Sequence, residues 1–332
     1  MNQFGRNILL VVIGAAGSYY IRDYFAGGVC KSSARLDKKT VIITGCNSGI
    51  GKETAKDLSK RGAKIIMACR NIEEADNVAA EIRKSNAENA QNSGELVVVK
   101  LDLSRLESIR SFANHIIQNE ERLDILINNA GIVSGSMGNK TEDGFEETIG
   151  VNHLGPFLLT NLLINKLASA PELPSRIVNV ASNAHRRGKI NLEDLNGDIE
   201  SNPMVAYGQS KLANILFTNE LAKRLKENGQ EISVYSLHPG VIHTNLFRQF
   251  DRTYRVLMIC AWGILWPFLK SCKEGAQTTI YCSVEESIAN ETGKYYADCK
   301  ETTPSPQARD DLMAKKLWDL SETLVSLKNN AK

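Results

Sequence analysis

The chain has 332 residues, 42% of them hydrophobic, with 40 Lys and Arg set against 38 Asp and Glu for a formal net charge of +2. That is enough apolar mass for one large core, and a near-neutral balance without runs of like charge points to no nucleic-acid partner and no charged tail. The 7 cysteines lack a CxxC pair or zinc spacing and the 5 histidines form no HExxH, so neither a disulfide framework nor a metal site is expected and the thiols read as reduced.

From Asn7 to Ile21 the chain is nearly uncharged and largely apolar, bounded by Arg6 and Arg22. As a helix this run covers roughly 22 Å, short of a ~30 Å hydrocarbon core, and Tyr19, Tyr20, Tyr24 and Phe25 can extend it at the interface. An uncleaved N-terminal membrane-anchor helix with its linker is expected over 1–28, and one domain over 29–332. A cleaved targeting segment, with its small residues at Gly14–Ser18, is the rival. Arg22, Lys31, Arg35, Lys38 and Lys39 outweigh Arg6 upstream, which places the body on the cytosolic side.

After Gly28, β-type apolar runs alternate with helical spacing. Thr40–Thr44, Lys64–Ala68, Leu96–Leu101, Ile125–Ile127, Ile177–Val180 and Ile232–Leu237 read as strands, and Gly51–Arg61 and Ser104–Gln118 as helices between them. The strands are almost continuously hydrophobic, as when helices cover both faces of a parallel sheet. The fold class is therefore α/β: a single Rossmann-type, doubly wound parallel sheet. Asn86–Gly94 and Pro171–Ser175 are polar connections.

The first strand runs into Thr44-Gly45-Cys46-Asn47-Ser48-Gly49-Ile50-Gly51 and then a helix. Gly45, Gly49 and Gly51, with Asn47, Ser48 and Ile50 between them, suit a tight turn that lets a pyrophosphate approach backbone at a helix N-terminus. A plain tight βα turn is the alternative, and placement at the head of a βαβ series favours the cofactor. The second strand ends at Ala68-Cys69-Arg70, where an NAD enzyme would offer an acid to the ribose; Arg70 suits a 2′-phosphate instead, and NADP(H) is the expected cofactor. Asp102, after the third strand, is placed to accept from the adenine amino group. Asn129, Ala130 and Gly131 close the fourth strand at the ligand edge of the sheet, with Asn129 either a cofactor contact or a brace.

Tyr207 and Lys211, four apart on a helical segment ending near Leu225, share a face and form an acid–base pair in which the ammonium is expected to draw the phenol pKa downward. Tyr296 and Lys300 repeat the YxxxK spacing in a short non-helical stretch, a chance copy. Ser182, just beyond the fifth strand, can hydrogen-bond the substrate oxygen or simply cap a helix or turn, and Asn152 can hold a water that relays protons to Lys211 or be a buried polar group of its helix.

TGxxxGIG, NNAG, a Ser after the fifth strand and YxxxK, in this order over Lys38 to Tyr296, resemble the short-chain dehydrogenase/reductase family. Phe25–Cys30, Ala68-Cys69-Arg70, Asp143-Gly144-Phe145, Gly150–Gly155, Ser210–Phe217 and His238-Pro239-Gly240-Val241 are similar to its microsomal retinol dehydrogenase/retinal reductase branch. The resemblance implies a membrane-anchored enzyme of the endoplasmic reticulum, with the mitochondrial membrane as second choice. It implies interconversion of a lipophilic primary alcohol and its aldehyde, retinol and retinal first; reduction is expected to dominate because cellular NADP pools are usually kept reduced. By the same resemblance Ser182 partners the substrate hydroxyl, Tyr207 is the acid/base and touches the cofactor, Lys211 is its modulator and a ribose contact, and Asn152 is the relay. A reductase of steroid, lipid-derived or xenobiotic carbonyls stays open, as does an inactive cofactor-binding scaffold; dimers are frequent in the family, which leaves a homodimer open.

Ala181 replaces a second Ser usual in the branch, Pro156 a His and Gly208 a Cys; Pro156 and Gly208 are expected to reshape the pocket. Val256–Leu269 is the most apolar stretch of the body, read either as a membrane-facing substrate lid or as a buried one. The sequons at Asn139 and Asn290 are expected to stay unmodified on a cytosolic body.

Overall fold

Strands with no polar face fold stably only where both sides are covered, and the chain supplies that cover. The computed structural model describes residues 22, 25–89, 92–136, 138–170, 174–196, 202–242 and 268–327. Its strands are β1 (Thr40–Thr44), β2 (Lys64–Cys69), β3 (Leu96–Lys100), β4 (Ile125–Asn128), β5 (Ser175–Val180), β6 (Ile232–His238), β7 (Lys294–Ala297) and β8 (Lys300–Glu301). They form one sheet in the order β3-β2-β1-β4-β5-β6-β7-β8, parallel throughout except for the β7–β8 hairpin. The direction of winding reverses between β1 and β4, where Ile42 lies beside Leu126, and a crevice opens beyond the carboxyl ends of those two strands.

Side chains alternate between two cores. Ile42, Ile66, Leu126, Ile177 and Val234 point to one face, where they meet Phe112, Phe157 and Phe217. The neighbours Ile43, Ile65, Ile127, Val178 and Tyr235 point to the other. The first face is covered by α3 (Leu106–Asn119), by α4 in its regular part (Gly155–Ala168) and by α5 (Pro203–Glu227). The second carries α1 (Gly49–Lys60), α2 (Ile72–Asn89) and α6 (Cys272–Val284). A last helix, α7 (Asp311–Leu324), lies on α5 and inserts Trp318 beside Phe157 and Phe217, with ring centroids 4.9 and 5.8 Å away.

The expected strands and helices are present: β2, β4, β5 and β6 run one or two residues longer than read, β3 ends one residue short at Lys100, and α2 takes in Asn86–Asn89 of the expected polar connection. β7, β8, α6 and α7 complete the sheet and its cover beyond the runs read from sequence. Ser271 and Glu274 build a full capping box at the start of α6, each side chain bonding the other's backbone. Among the described residues no helix is long and apolar enough to cross a membrane. The expected anchor at Asn7–Ile21 and all of the Val256–Leu269 stretch but Phe268 and Leu269 lie outside the described residues.

Candidate active site

The crevice is a cleft of about 1180 Å³, lined from the glycine turn at one end to Ser182, Tyr207, Lys211 and His238-Pro239-Gly240 at the other. It exceeds the roughly 300–1,000 Å³ usual for one small ligand. Thr44 ends β1, and its hydroxyl accepts from the backbone N–H of Asn129 and of Ala130, both at 3.0 Å. Thr44 thus clamps the two strand ends together, a role hidden in the first letter of TGxxxGIG.

Gly45 has φ +63° and Gly49 φ +59°, the left-handed region where a side chain is strained. At Gly51 the constraint is space: an added Cβ would stand 2.5 Å from Asn129 Nδ2 and 2.7 Å from the Gly45 carbonyl oxygen. The helix α1 therefore begins against the sheet edge. Its N-cap Ser48 makes no side-chain bond to the helix and its first turn holds no acid, so the opening amides are available to an anion. Asn47, Ser48 and Ile50 line the cleft with the glycines. Gly51→Ala is expected to lose about 1–3 kcal/mol of stability by overpacking and to weaken nucleotide binding at the same time. Thermal unfolding and a fluorescence titration with NADPH would show both; unchanged affinity would remove the turn from the binding site.

Arg70 is exposed on the cleft wall, and its guanidinium has no hydrogen bond or ion pair among the described residues. Asp102 is held by an Asx turn in which Oδ1 accepts from Ser104 N at 3.0 Å and Ser104 Oγ at 2.6 Å, leaving Oδ2 without a bond from the described residues. Asn129 is a brace: its Nδ2 donates to the Thr44 carbonyl at 2.8 Å and the Gly45 carbonyl at 3.1 Å, fixing the glycine turn it faces. Ala130 and Gly131 follow it along the cleft. A helix N-terminus with no side-chain cap, a turn closed to Cβ atoms and the exposed Arg70 at the far end together fit a nicotinamide dinucleotide.

The reactive end is built by α5 and the β5 terminus. Tyr207 and Lys211 are both buried, at 9% and 3% exposure, which is unusual for a lysine. Lys211 Nζ donates to the Val180 carbonyl at 3.0 Å and lies 5.6 Å from the centroid of the Tyr207 ring. Burial alone lowers the Lys211 pKa to about 8. For Tyr207 burial raises the pKa, and a hydrogen bond with the Ser182 side chain only partly opposes it. The sequence argument had the ammonium drawing the phenol down. In the folded protein burial and the Ser182 bond set the phenol instead, with burial the larger, so the phenol keeps its proton at neutral pH. Ser182 caps the 3-10 turn Asn183–Arg187, its Oγ accepting from Ala184 N at 3.2 Å.

Asn152 lies in a π-helical turn, Gly150–Leu154, wedged between Glu147–Ile149 and the regular part of α4. The wide turn aims its amide at Ile132: Oδ1 accepts from Ile132 N at 2.8 Å, while Nδ2 donates to the Ile132 carbonyl at 2.9 Å and to Ser210 Oγ at 3.0 Å. Asn152 and Lys211 flank Gly131, where a Cβ would stand 3.5 Å from Asn152 Oδ1 and 3.2 Å from Lys211 Nζ.

The second YxxxK copy stands apart from this cleft. Tyr296 is buried in β7 with its hydroxyl on Glu291, which raises its pKa further, and Lys300 sits exposed in β8. Pro156 and Gly208 are also absent from the cleft wall, contrary to the sequence expectation. Pro156 is buried at the start of α4, and Gly208 packs on the Ser182 turn, where a Cβ would be 3.3 Å from the Ala184 carbonyl oxygen. Of the three departures only Ala181 faces the cleft. The six described cysteines are free; Cys46 and Cys69 lie beneath the nucleotide end with their sulfurs 3.8 Å apart.

Three comparisons bear on this site. Residues 39–255 match the family model for short chain dehydrogenase. Retinol dehydrogenase 12 of Bos taurus is 44% identical over 96% of this chain and 99% of its own, and retinol dehydrogenase 14 of Homo sapiens 46% identical over 87% of each. The solved structure of a putative uncharacterized protein from Mycobacterium paratuberculosis has 36% identity and a TM-score of 0.71, covering 90% of this chain and 98% of its own. With a β1–β4 crevice, a glycine turn and a buried Tyr207–Lys211 pair already in place, these likenesses make the chain a member of the short-chain dehydrogenase family, in its retinol dehydrogenase branch.

Proposed function

We propose that the protein is an NADP(H)-dependent oxidoreductase that interconverts retinol and retinal, with reduction of the aldehyde dominant. The observation that carries this is the convergence of Ser182, Tyr207 and Lys211 at one end of a cleft whose other end holds an unpaired Arg70. The branch's named relatives supply the retinoid, and Arg70 the choice of nucleotide.

When bound, the nicotinamide supplies or takes the hydride. The chain's own part is to orient and to move one proton. The substrate carbonyl oxygen sits between the Tyr207 and Ser182 hydroxyls; Ser182 donates a hydrogen bond that polarises it, and Tyr207 gives up its proton as the alkoxide forms. Lys211, charged at neutral pH with a pKa near 8, stabilises the phenolate left behind. Asn152 holds Ile132 and the Gly131 backbone in register, and a water on its turn returns protons to Lys211. Asp102 binds the adenine amino group through Oδ2. The burial-raised phenol pKa supports reduction, since the resting group is a donor.

The anchor over 1–28 holds the catalytic domain, 29–332, at the cytosolic face of the endoplasmic reticulum. The mitochondrial membrane is the alternative. Glycan at Asn139 or Asn290 would reverse this topology. Ala181 offers the cleft a methyl where the branch usually has a hydroxyl, and this favours a second reading, reduction of lipid-derived or steroid carbonyls.

Detergent-solubilised protein given all-trans-retinal with NADPH or NADH tests the first reading through retinol formation. Oxidation of NADPH by other aldehydes or ketones, with no retinol formed, would move the substrate to the second. Arg70→Glu is expected to cut the preference for NADPH over NADH roughly 10–100-fold, the worth of a charge-assisted hydrogen bond. An unchanged preference would place the 2′-phosphate elsewhere.

A further inference from the structure

Ser182 has to present its hydroxyl to the Tyr207 phenol from a loop, and loops hold geometry poorly unless something fixes their backbone. Two imidazoles fix this one. The Ser182 carbonyl accepts from the backbone N–H of His185 at 3.1 Å and bonds the same residue's ring at Nδ1, 2.6 Å away. One residue along, the N–H of Asn183 donates to His238 Nδ1 at 3.1 Å.

The partners set the tautomers. A carbonyl only accepts, so His185 carries its proton on Nδ1. Its Nε2 faces the N–H of Ser305 at 3.1 Å, which only donates, so Nε2 is bare. By the same argument His238 is bare at Nδ1. Both rings are uncharged in this arrangement, which burial favours: it lowers the pKa of His185, with Arg186 adding to it, and takes His238 to about 4 with help from Lys270.

His185 is the more committed of the two. It is fully buried, its ring meets Tyr295 edge to face at 5.2 Å, and the proposed chemistry gives it no direct part. A histidine placed only to fill space would be exchangeable for a phenylalanine; this one spends both nitrogens joining the Ser182 carbonyl to the segment that enters α7. Arg186 reinforces the link, donating to Asn183 Oδ1 at 2.8 Å and to the Thr303 carbonyl at 3.2 Å.

We propose that His185 is a positioning residue for the reaction: its Nδ1–H holds the Ser182 carbonyl, and through it the aim of the Ser182 hydroxyl at Tyr207 and the substrate oxygen, while Nε2 ties that turn to the segment around Ser305. The proposal rests on the reading in which Ser182 hydrogen-bonds the substrate.

The test uses the two amides as half-histidines. Asparagine places an N–H near the Nδ1 position and glutamine places its amide near Nε2. In detergent-solubilised full-length protein, His185→Gln and His185→Phe are expected to lower kcat with retinal about tenfold, the scale of one lost hydrogen bond. KM and the NADPH dissociation constant should change less than twofold, and His185→Asn should recover most of kcat. A ring that merely packs predicts otherwise: Asn and Gln equally impaired in kcat, Phe the least impaired, and losses that follow the thermal midpoint. That pattern, or wild-type kcat in Gln and Phe, overturns the proposal. If Phe does not fold, the Asn–Gln contrast carries the test alone. Ser182→Ala separates the two levels: a fully active Ser182→Ala sinks the Ser182 reading itself. If Ser182→Ala is impaired, adding His185→Gln to it should lower kcat no further; a further tenfold loss would show that His185 acts by another route.

Discussion

Tyr207→Phe is expected to lower turnover by about 10²–10⁴-fold, the range spanned by a positioned acid or base. The substitution removes one oxygen from a buried side chain of α5 and leaves the ring, the helix and the Lys211 contact in place. The glycine turn lies at the other end of the cleft, so NADPH affinity should be retained. Stopped-flow single turnover with NADPH and retinal, together with a binding titration, separates the two quantities. Retained turnover would move the proton donor to another group; lost nucleotide binding would mean that the ring itself supports the cofactor end.

Lys211→Met is expected to abolish activity and to make the free protein more stable. The ammonium is 3% exposed and its only bond in the described structure is the one to the Val180 carbonyl. Its pKa falls from 10.5 to about 8 through burial. Between those two values the unfolded chain binds more protons than the folded one, so stability rises with pH across that window. Below about 8 the whole penalty is present, on the order of 3 kcal/mol. Methionine fills the space without the charge, and the lost hydrogen bond takes back about 1 kcal/mol. The net gain expected at pH 7 is about 2 kcal/mol, read as a higher midpoint in thermal unfolding without nucleotide. Raising the pH to 9.5 should narrow the gap between the two proteins. A Lys211→Met protein less stable than the parent at pH 7 would show that the buried charge is offset by something the structure does not contain.

Much of this architecture was legible because its signals are local. An unbroken apolar run such as Thr40–Thr44 has no solvent face to offer, and strands of that kind spaced by helical segments leave few folds open. The glycine turn could be placed because it lies at the junction of a strand and a helix, and Tyr296 could be set aside because its stretch is short and not helical. What escaped depends on the third dimension. β7 is four residues with two tyrosines, and it becomes a strand by pairing with β6. Lys211 was visible as a charge beside Tyr207, while the burial that governs both pKa values was not. Pro156 and Gly208 lie near catalytic residues in sequence, yet Pro156 is buried at the start of α4 and Gly208 faces the Ser182 turn. His185 gives no signal in the sequence, because its role depends on the partners that the fold brings to its two nitrogens.

The place of Trp318 has a consequence for how the molecule is made. A ribosome releases the nucleotide-binding strands β1 to β3 early and together, but Phe217 leaves about a hundred residues before the tryptophan that covers it, an interval of roughly 5–20 s at ordinary rates of synthesis. During that interval the outer side of α5, the helix bearing Tyr207 and Lys211, offers bare aromatic surface to whatever is near. Co-translational chaperone contact should therefore concentrate on this helix, and a message stopped before α7 should yield chains that are captured and degraded although every catalytic residue has already been translated.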